Sequence, residues 1–198
     1  MAEAVLDPAA QERSLIYTSR VTVTVILGTV TMTFGALIAV FFYRSAGPKF
    51  WGPLKIPHLL WITTLLLLLS SWTFERAYHR LLKHDQTGFH RWMRWTFALA
   101  VLFLIGQVAS WFLLLHGGLV LAKNPHSWFI FLFTGLHGAH ILGGLIGIGY
   151  LLWRTREPAS GPRYQLYTRV IARGVSVCWH YLDFLWIVLF TLLLVWRR

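Results

Sequence analysis

Apolar residues in this chain come in long unbroken blocks, unlike the alternation of a half-buried strand or the single apolar stripe of a surface helix. Five runs lack Asp, Glu, Lys and Arg, or nearly so: Val21 to Tyr43, Ile56 to Phe74, Trp95 to Ala122, Asn124 to Trp153 and, interrupted by Asp183 alone, Gly174 to Trp196. Each meets or approaches the ~20 residues a helix needs to cross a ~30 Å hydrocarbon core. The pattern predicts an all-α, polytopic membrane protein with five transmembrane helices, over about residues 20–43, 57–80, 93–118, 127–153 and 173–196. Residues 1–19 are left as a polar N-terminal leader, mobile or turned along the interface, and 20–198 as one transmembrane domain. Between the runs, Pro48, Pro53 and Pro57 with Trp51 read as an interfacial turn. Gly117-Gly118 end the third helix, Asn124-Pro125 open the turn into the fourth, and Trp128 marks an interface.

Composition sharpens this picture. The 198 residues are 57% hydrophobic and only 13% charged, against about 25% charged in soluble domains. A net charge of +11 could suggest nucleic acid, but its placement points elsewhere. Twelve of the 18 Lys and Arg fall in the leader and in the second and fourth connections, which share one side of a five-span bundle. The positive-inside bias then puts the N-terminus in the cytoplasm and the C-terminus outside. The first apolar run is too long, and its leader with Glu3, Asp7 and Glu12 too acidic, for a cleaved signal, so insertion is expected to begin from the first helix itself. Cys178 is the only cysteine, which leaves no intrachain disulfide or multi-thiolate metal site.

Candidate chemistry lies in the last two helices. Gly135, Ala139, Gly143 and Gly147 recur every fourth residue and form a small-residue stripe suited to close helix approach. His137 and His140 lie three apart within the same helix, as do His180 and Asp183 in the next. With a rise of ~1.5 Å per residue, His140 lies ~12 Å, His180 ~10 Å and Asp183 ~15 Å from the inner edge, so these groups can meet at one level. A lone Asp at mid-membrane costs about 2.5 to 3.5 kcal/mol, so Asp183 is expected to face the bundle and either bond a histidine or stay protonated. Trp179 and Trp186, seven apart, share a face that would grip a helix or a lipid chain, and Gln107 reads as an interhelical hydrogen-bonding residue. Glu75, four residues before His79, reads as a solvated headgroup-level charge. The basic loop from His84 to Arg94 is expected to contact anionic lipid or a partner loop. Three intramembrane histidines could serve a single haem, and Asp183 a proton-coupled transporter; both readings stay open on the residues alone.

Two motifs add to that reading. Thr134-Gly135-Leu136-His137-Gly138-Ala139-His140 and Trp179-His180-Tyr181-Leu182-Asp183 with Trp186 resemble the TGxHGxH and WHFxDxxW segments of subunit III of the haem-copper oxidases, the cytochrome c and quinol oxidases. Phe34-Gly35-Ala36-Leu37 with Tyr43-Arg44, Leu65 to Ser71 with Thr73, and Gly106-Gln107 with Trp111 are similar to its other helices, so the resemblance covers nearly the whole chain from the first helix onward. It implies the short five-helix bacterial form, split two plus three around a phospholipid-holding cleft, in the inner membrane. The implied subunit has no catalytic, metal or cofactor residue of its own; haem and copper belong to partners. It would pack against catalytic subunit I beside subunit II, support proton uptake, and could join a respiratory supercomplex. His137, His140, His180, Asp183 and Gln107 would be structural polar anchors, and the small-residue stripe with Trp179 and Trp186 would line helix or lipid contacts. The family's usual first-helix and third-helix glutamates are replaced by Val30 and Ser110, which leaves room for the homologous accessory subunit of nitric oxide reductases.

Overall fold

The computed structural model describes residues 8–45, 58–116, 125–156 and 161–195. They form five helices: α1 (Pro8–Ser45), α2 (Leu59–Leu82), α3 (Gln86–His116), α4 (Pro125–Arg154) and α5 (Pro162–Val195). The expected interfacial turn with Pro48, Trp51 and Pro53, and the Gly117-Gly118 helix end, lie outside the described residues. Within Ala9–Ser45, Gln86–His116, Trp128–Arg154 and Arg163–Val195, four helices have the length and apolarity to cross a membrane. The chain is thus an all-α, multi-pass membrane protein. The remaining helix, α2, has 24 residues and carries Glu75, Arg76, His79 and Arg80 in its last turns, which dilutes its apolar run.

Helix α1 starts at Pro8, so the described part of the polar leader expected to be mobile or turned, residues 8–19, is helix. Its 38 residues span about 57 Å, well beyond a ~30 Å core, and its polar first turns extend the apolar span. Helix α5 likewise begins at Pro162, before the expected residue 173.

Helices α2 and α3 make the most extensive contact in the bundle. The reason lies in their spacing. Buried residues on α2 fall at 60, 63, 67, 70, the adjacent pair 73 and 74, and 77, and on α3 at 89, 93, 96, 100, 103, 107, 110 and 114. With that pair taken as one position, both sets alternate steps of three and four, the 3.5-residue period of left-handed coiled-coil packing. Gly106 admits the Thr63 methyl where any Cβ would collide with it. Lys83, His84 and Asp85 connect the pair, with His84 in the left-handed region at φ 59°. Asp85 caps α3: Oδ1 accepts the Gly88 N–H at 2.8 Å, and Oδ2 accepts from Arg80 at 3.0 Å.

Helix α4 packs on α3 and α5, and α5 closes back onto α2, so these four helices form a ring. Helix α1 stands outside it against α5 and, more lightly, α4; among the described residues it touches neither α2 nor α3. By contacts the bundle is thus a ring of four helices with α1 on its rim, a four-plus-one arrangement. The cause is visible on α1, whose only buried apolar side chains among the described residues, Val30, Phe34 and Phe41, form a single narrow stripe. One stripe seats a helix on the rim of a bundle but not in its interior.

Candidate functional site

Between α2 and α5 runs a ladder of polar contacts. The indole N–H of Trp186 donates to Thr64 at 3.0 Å, and that of Trp179 donates to Ser70 at 3.2 Å. The two helices are antiparallel, so tryptophans seven apart on α5 meet hydroxyls six apart on α2 in reverse order. Between these rungs Ser71 donates to Asp183 Oδ2, and Ser71 Oγ also lies 3.1 Å from His180 Nδ1. Nε2 of His180 is 3.4 Å from Glu75 Oε2, and Glu75 Oε1 is 3.2 Å from His79 Nε2. A connected chain, Asp183, Ser71, His180, Glu75, His79, thus leads from the bundle interior to the charged end of α2.

Asp183 faces the bundle at 5% exposure, but its direct partner is a serine, with His180 one link away. Its Oδ1 has no partner among the described residues. Glu75, read from sequence as a solvated charge, is partly exposed and also joins two histidines, one of them on another helix. Nothing in the sequence pairs residues 75 and 180. The hydroxyls were more legible: Thr63/Thr64 and Ser70/Ser71 sit one heptad apart, matching the Trp179/Trp186 spacing.

His137 and His140 do not join this chain. His137 is fully buried, with its ring 4.9 Å from Trp186 and edge-on to Phe103 at 5.9 Å; neither ring nitrogen has a partner among the described residues. His140 turns the other way, lies 5.5 Å from Phe34 of α1, and is tied by Nδ1 to Leu136 O at 2.7 Å. Equal depth did not bring them to Asp183, because position around the helix axis separates them. No group of three or more His, Cys, Asp and Glu that could hold a metal occurs among the described residues.

Other interhelical contacts follow the same economy. Gln107 donates to Thr63 at 3.4 Å, the Thr73 and Thr96 hydroxyls lie 2.9 Å apart, and Trp111 donates to Thr134 at 2.9 Å. Thr31 and Tyr181 share a 2.6 Å hydrogen bond that holds α1 to α5.

The small-residue stripe divides its labour. Gly135 packs under Trp111 and Gly147 against Val175. Gly143 has open space where a Cβ would project and lines, with Ala139 and His140, an apolar groove of about 710 Å³ between α1, α4 and α5. The tightest approach on α4 is at Gly144, outside the stripe: a Cβ there would lie 2.8 Å from the Trp179 ring. The two motifs therefore meet at Trp186 against His137, while Trp179 packs on Gly144 just beyond the α4 motif.

The sequence is similar to that of known proteins of one family. A family model described as cytochrome c oxidase subunit III matches residues 17–198. Cytochrome c oxidase subunit 3 of Synechocystis sp. is 32% identical over 165 residues, covering 80% of this chain and 66%, just under two thirds, of the relative. The subunit 3 of Thermostichus vulcanus is 30% identical over 174 residues, covering 85% of this chain and 82% of its own length. A probable cytochrome c oxidase subunit 3 of Mycobacterium leprae is 32% identical over 166 residues, covering 82% and 80%.

Proposed function

Because this chain belongs to the cytochrome c oxidase subunit III family, we propose that it is the non-catalytic third subunit of a bacterial respiratory oxidase. In this reading it packs against the catalytic subunit I, beside subunit II, in the inner membrane, with its N-terminus cytoplasmic. Haem, copper and oxygen reduction belong to those partners. The chain stabilises the catalytic subunit and supports its proton uptake, and the groove beside α1 holds phospholipid chains. One observation carries the proposal: side chains of both family motifs pack on each other and on neighbouring helices, as Trp186 does on His137 and Trp179 on Ser70. That is the use expected of a structural subunit.

The test is isolation of the tagged chain from membranes in mild detergent, with a visible spectrum and mass-spectrometric identification of companions. Co-purification with a larger, haem-bearing membrane chain is expected, and the absorbance should leave with that companion when the two are separated. Haem retained by this chain alone, or a chain that emerges alone and colourless, would overturn the reading. The groove assignment predicts that Gly143→Phe lowers the phospholipid retained per complex without altering the subunit composition.

A further inference from the structure

A second cavity, about 740 Å³ and separate from the groove beside α1, opens where the start of α3 meets the end of α4. Gln86, His90, Arg91, Arg94 and Trp95 from α3 and Arg156, just beyond α4, line it. Its two walls are fixed together, since His90 Nε2 lies 2.7 Å from the Thr155 carbonyl oxygen. The neighbouring basic residues are already engaged. Arg80 pairs with Asp85, and the Arg154 guanidinium lies over Tyr164 and Tyr167 at 4.8 and 4.5 Å. The side chains of Arg94 and Arg156 have no ion pair or hydrogen bond among the described residues, and no carboxylate among those residues lines the cavity.

The α3 face beyond the arginines distinguishes a lipid from a soluble anion. Trp95, Ala98, Leu102 and Ile105 continue the same helix face from Arg91 and Arg94, and all are exposed, Trp95 at 59%. From Arg94 to Ile105 is about 16 Å along the axis, one leaflet of a ~30 Å core. Trp95 and Ala98 both line the cavity, and an amphipathic indole suits the headgroup level. A cationic cavity that runs into an exposed apolar track complements a molecule with a phosphodiester at one end and a hydrocarbon chain at the other.

The geometry points to a binding site for an anionic phospholipid on this chain, with Arg91, Arg94 and Arg156 holding the headgroup phosphate and the Trp95–Ala98–Leu102–Ile105 face seating an acyl chain. The assignment depends only on the chain's being a membrane protein and is independent of the oxidase reading.

The test is native mass spectrometry of the delipidated, detergent-purified full chain with its natural companions, titrated with phosphatidylglycerol or phosphatidylcholine. One phosphatidylglycerol should be retained in preference to phosphatidylcholine. Arg94→Gln with Arg156→Gln should weaken that retention about thirty-fold, the effect of two cations facing an anionic lipid. Arg94→Lys with Arg156→Lys should keep most of it, and Ala98→Trp should weaken it with no change of charge. Soluble glycerophosphoglycerol at equal concentration should not compete. Equal retention of the two lipids by the wild type overturns the site, as does unchanged phosphatidylglycerol binding in the glutamine variant. Full competition by the soluble headgroup overturns the lipid assignment in favour of a free phosphoester. Should the glutamine variant fail to assemble, the wild-type lipid preference, the competition and Ala98→Trp decide the matter.

Discussion

His137 is a buried imidazole seated on aromatic rings, with both nitrogens unpartnered among the described residues. A polar group sealed away without a hydrogen bond costs about 1 to 3 kcal/mol, whereas exchanging it for an apolar side chain of similar shape can be neutral or stabilising. His137→Phe keeps the ring contacts with Phe103 and Trp186 and removes the polar atoms. Its thermal midpoint in detergent is expected to match or exceed that of the wild type; a marked fall would reveal a hydrogen bond made in the assembled complex. Asp183 is the opposite case, since its serine partner links it to His180 and Glu75 on the same seam. Side chains of similar polarity thus serve differently: one is packed as an aromatic disc, the other ties helices.

At the level of elements, helix contacts depend on which glycine faces a neighbour. A methyl on Gly144 meets the Trp179 ring at 2.8 Å and must displace it, which also strains the Trp179–Ser70 hydrogen bond. Overpacking of this kind costs about 1 to 3 kcal/mol. Gly144→Ala should therefore lower the midpoint of unfolding in detergent, while Gly143→Ala, which projects into open space, should leave it unchanged. Equal effects at the two positions would show that the α4–α5 seam does not rest on Gly144. The α2–α3 hairpin carries a pH dependence of its own. The Gly88 backbone N–H, and then Arg80, hold the Asp85 carboxyl below its ordinary value of 3.8. A carboxylate with a lowered pKa contributes stability that is full above its ordinary value and lost as pH falls through the folded one. Amide exchange at Gly88, corrected for intrinsic rates, should accelerate on acidification below that range, and Asp85→Asn should flatten the response; an unchanged profile would remove Asp85 from the cap.

Over the whole molecule, a ring of four helices carries one peripheral helix. Because α1 is held by a narrow stripe, the Thr31–Tyr181 bond and Phe34 against His140, it should open first. Progressive delipidation followed by hydrogen exchange is expected to expose α1 amides before those of α2 to α5; earlier exchange in α2 would contradict the four-plus-one arrangement. Length, charge distribution and the unbroken apolar runs determined by themselves that the chain is helical and crosses the membrane repeatedly, because lipid leaves the backbone few alternatives. The motifs in α4 and α5 were also legible, since spacing along one helix is a local property; the 3.5-residue burial on α2 and α3 was not, because apolar residues lie on most of the surface of both helices. The tertiary structure alone decided which faces meet. Depth is additive along a chain, and so could be reckoned for His140, His180 and Asp183. Azimuth and partner are not, because they depend on side chains from helices distant in sequence. For that reason Ser71 and Glu75, and not His137 or His140, share the polar seam with Asp183 and His180, and α1 borders a groove outside the ring.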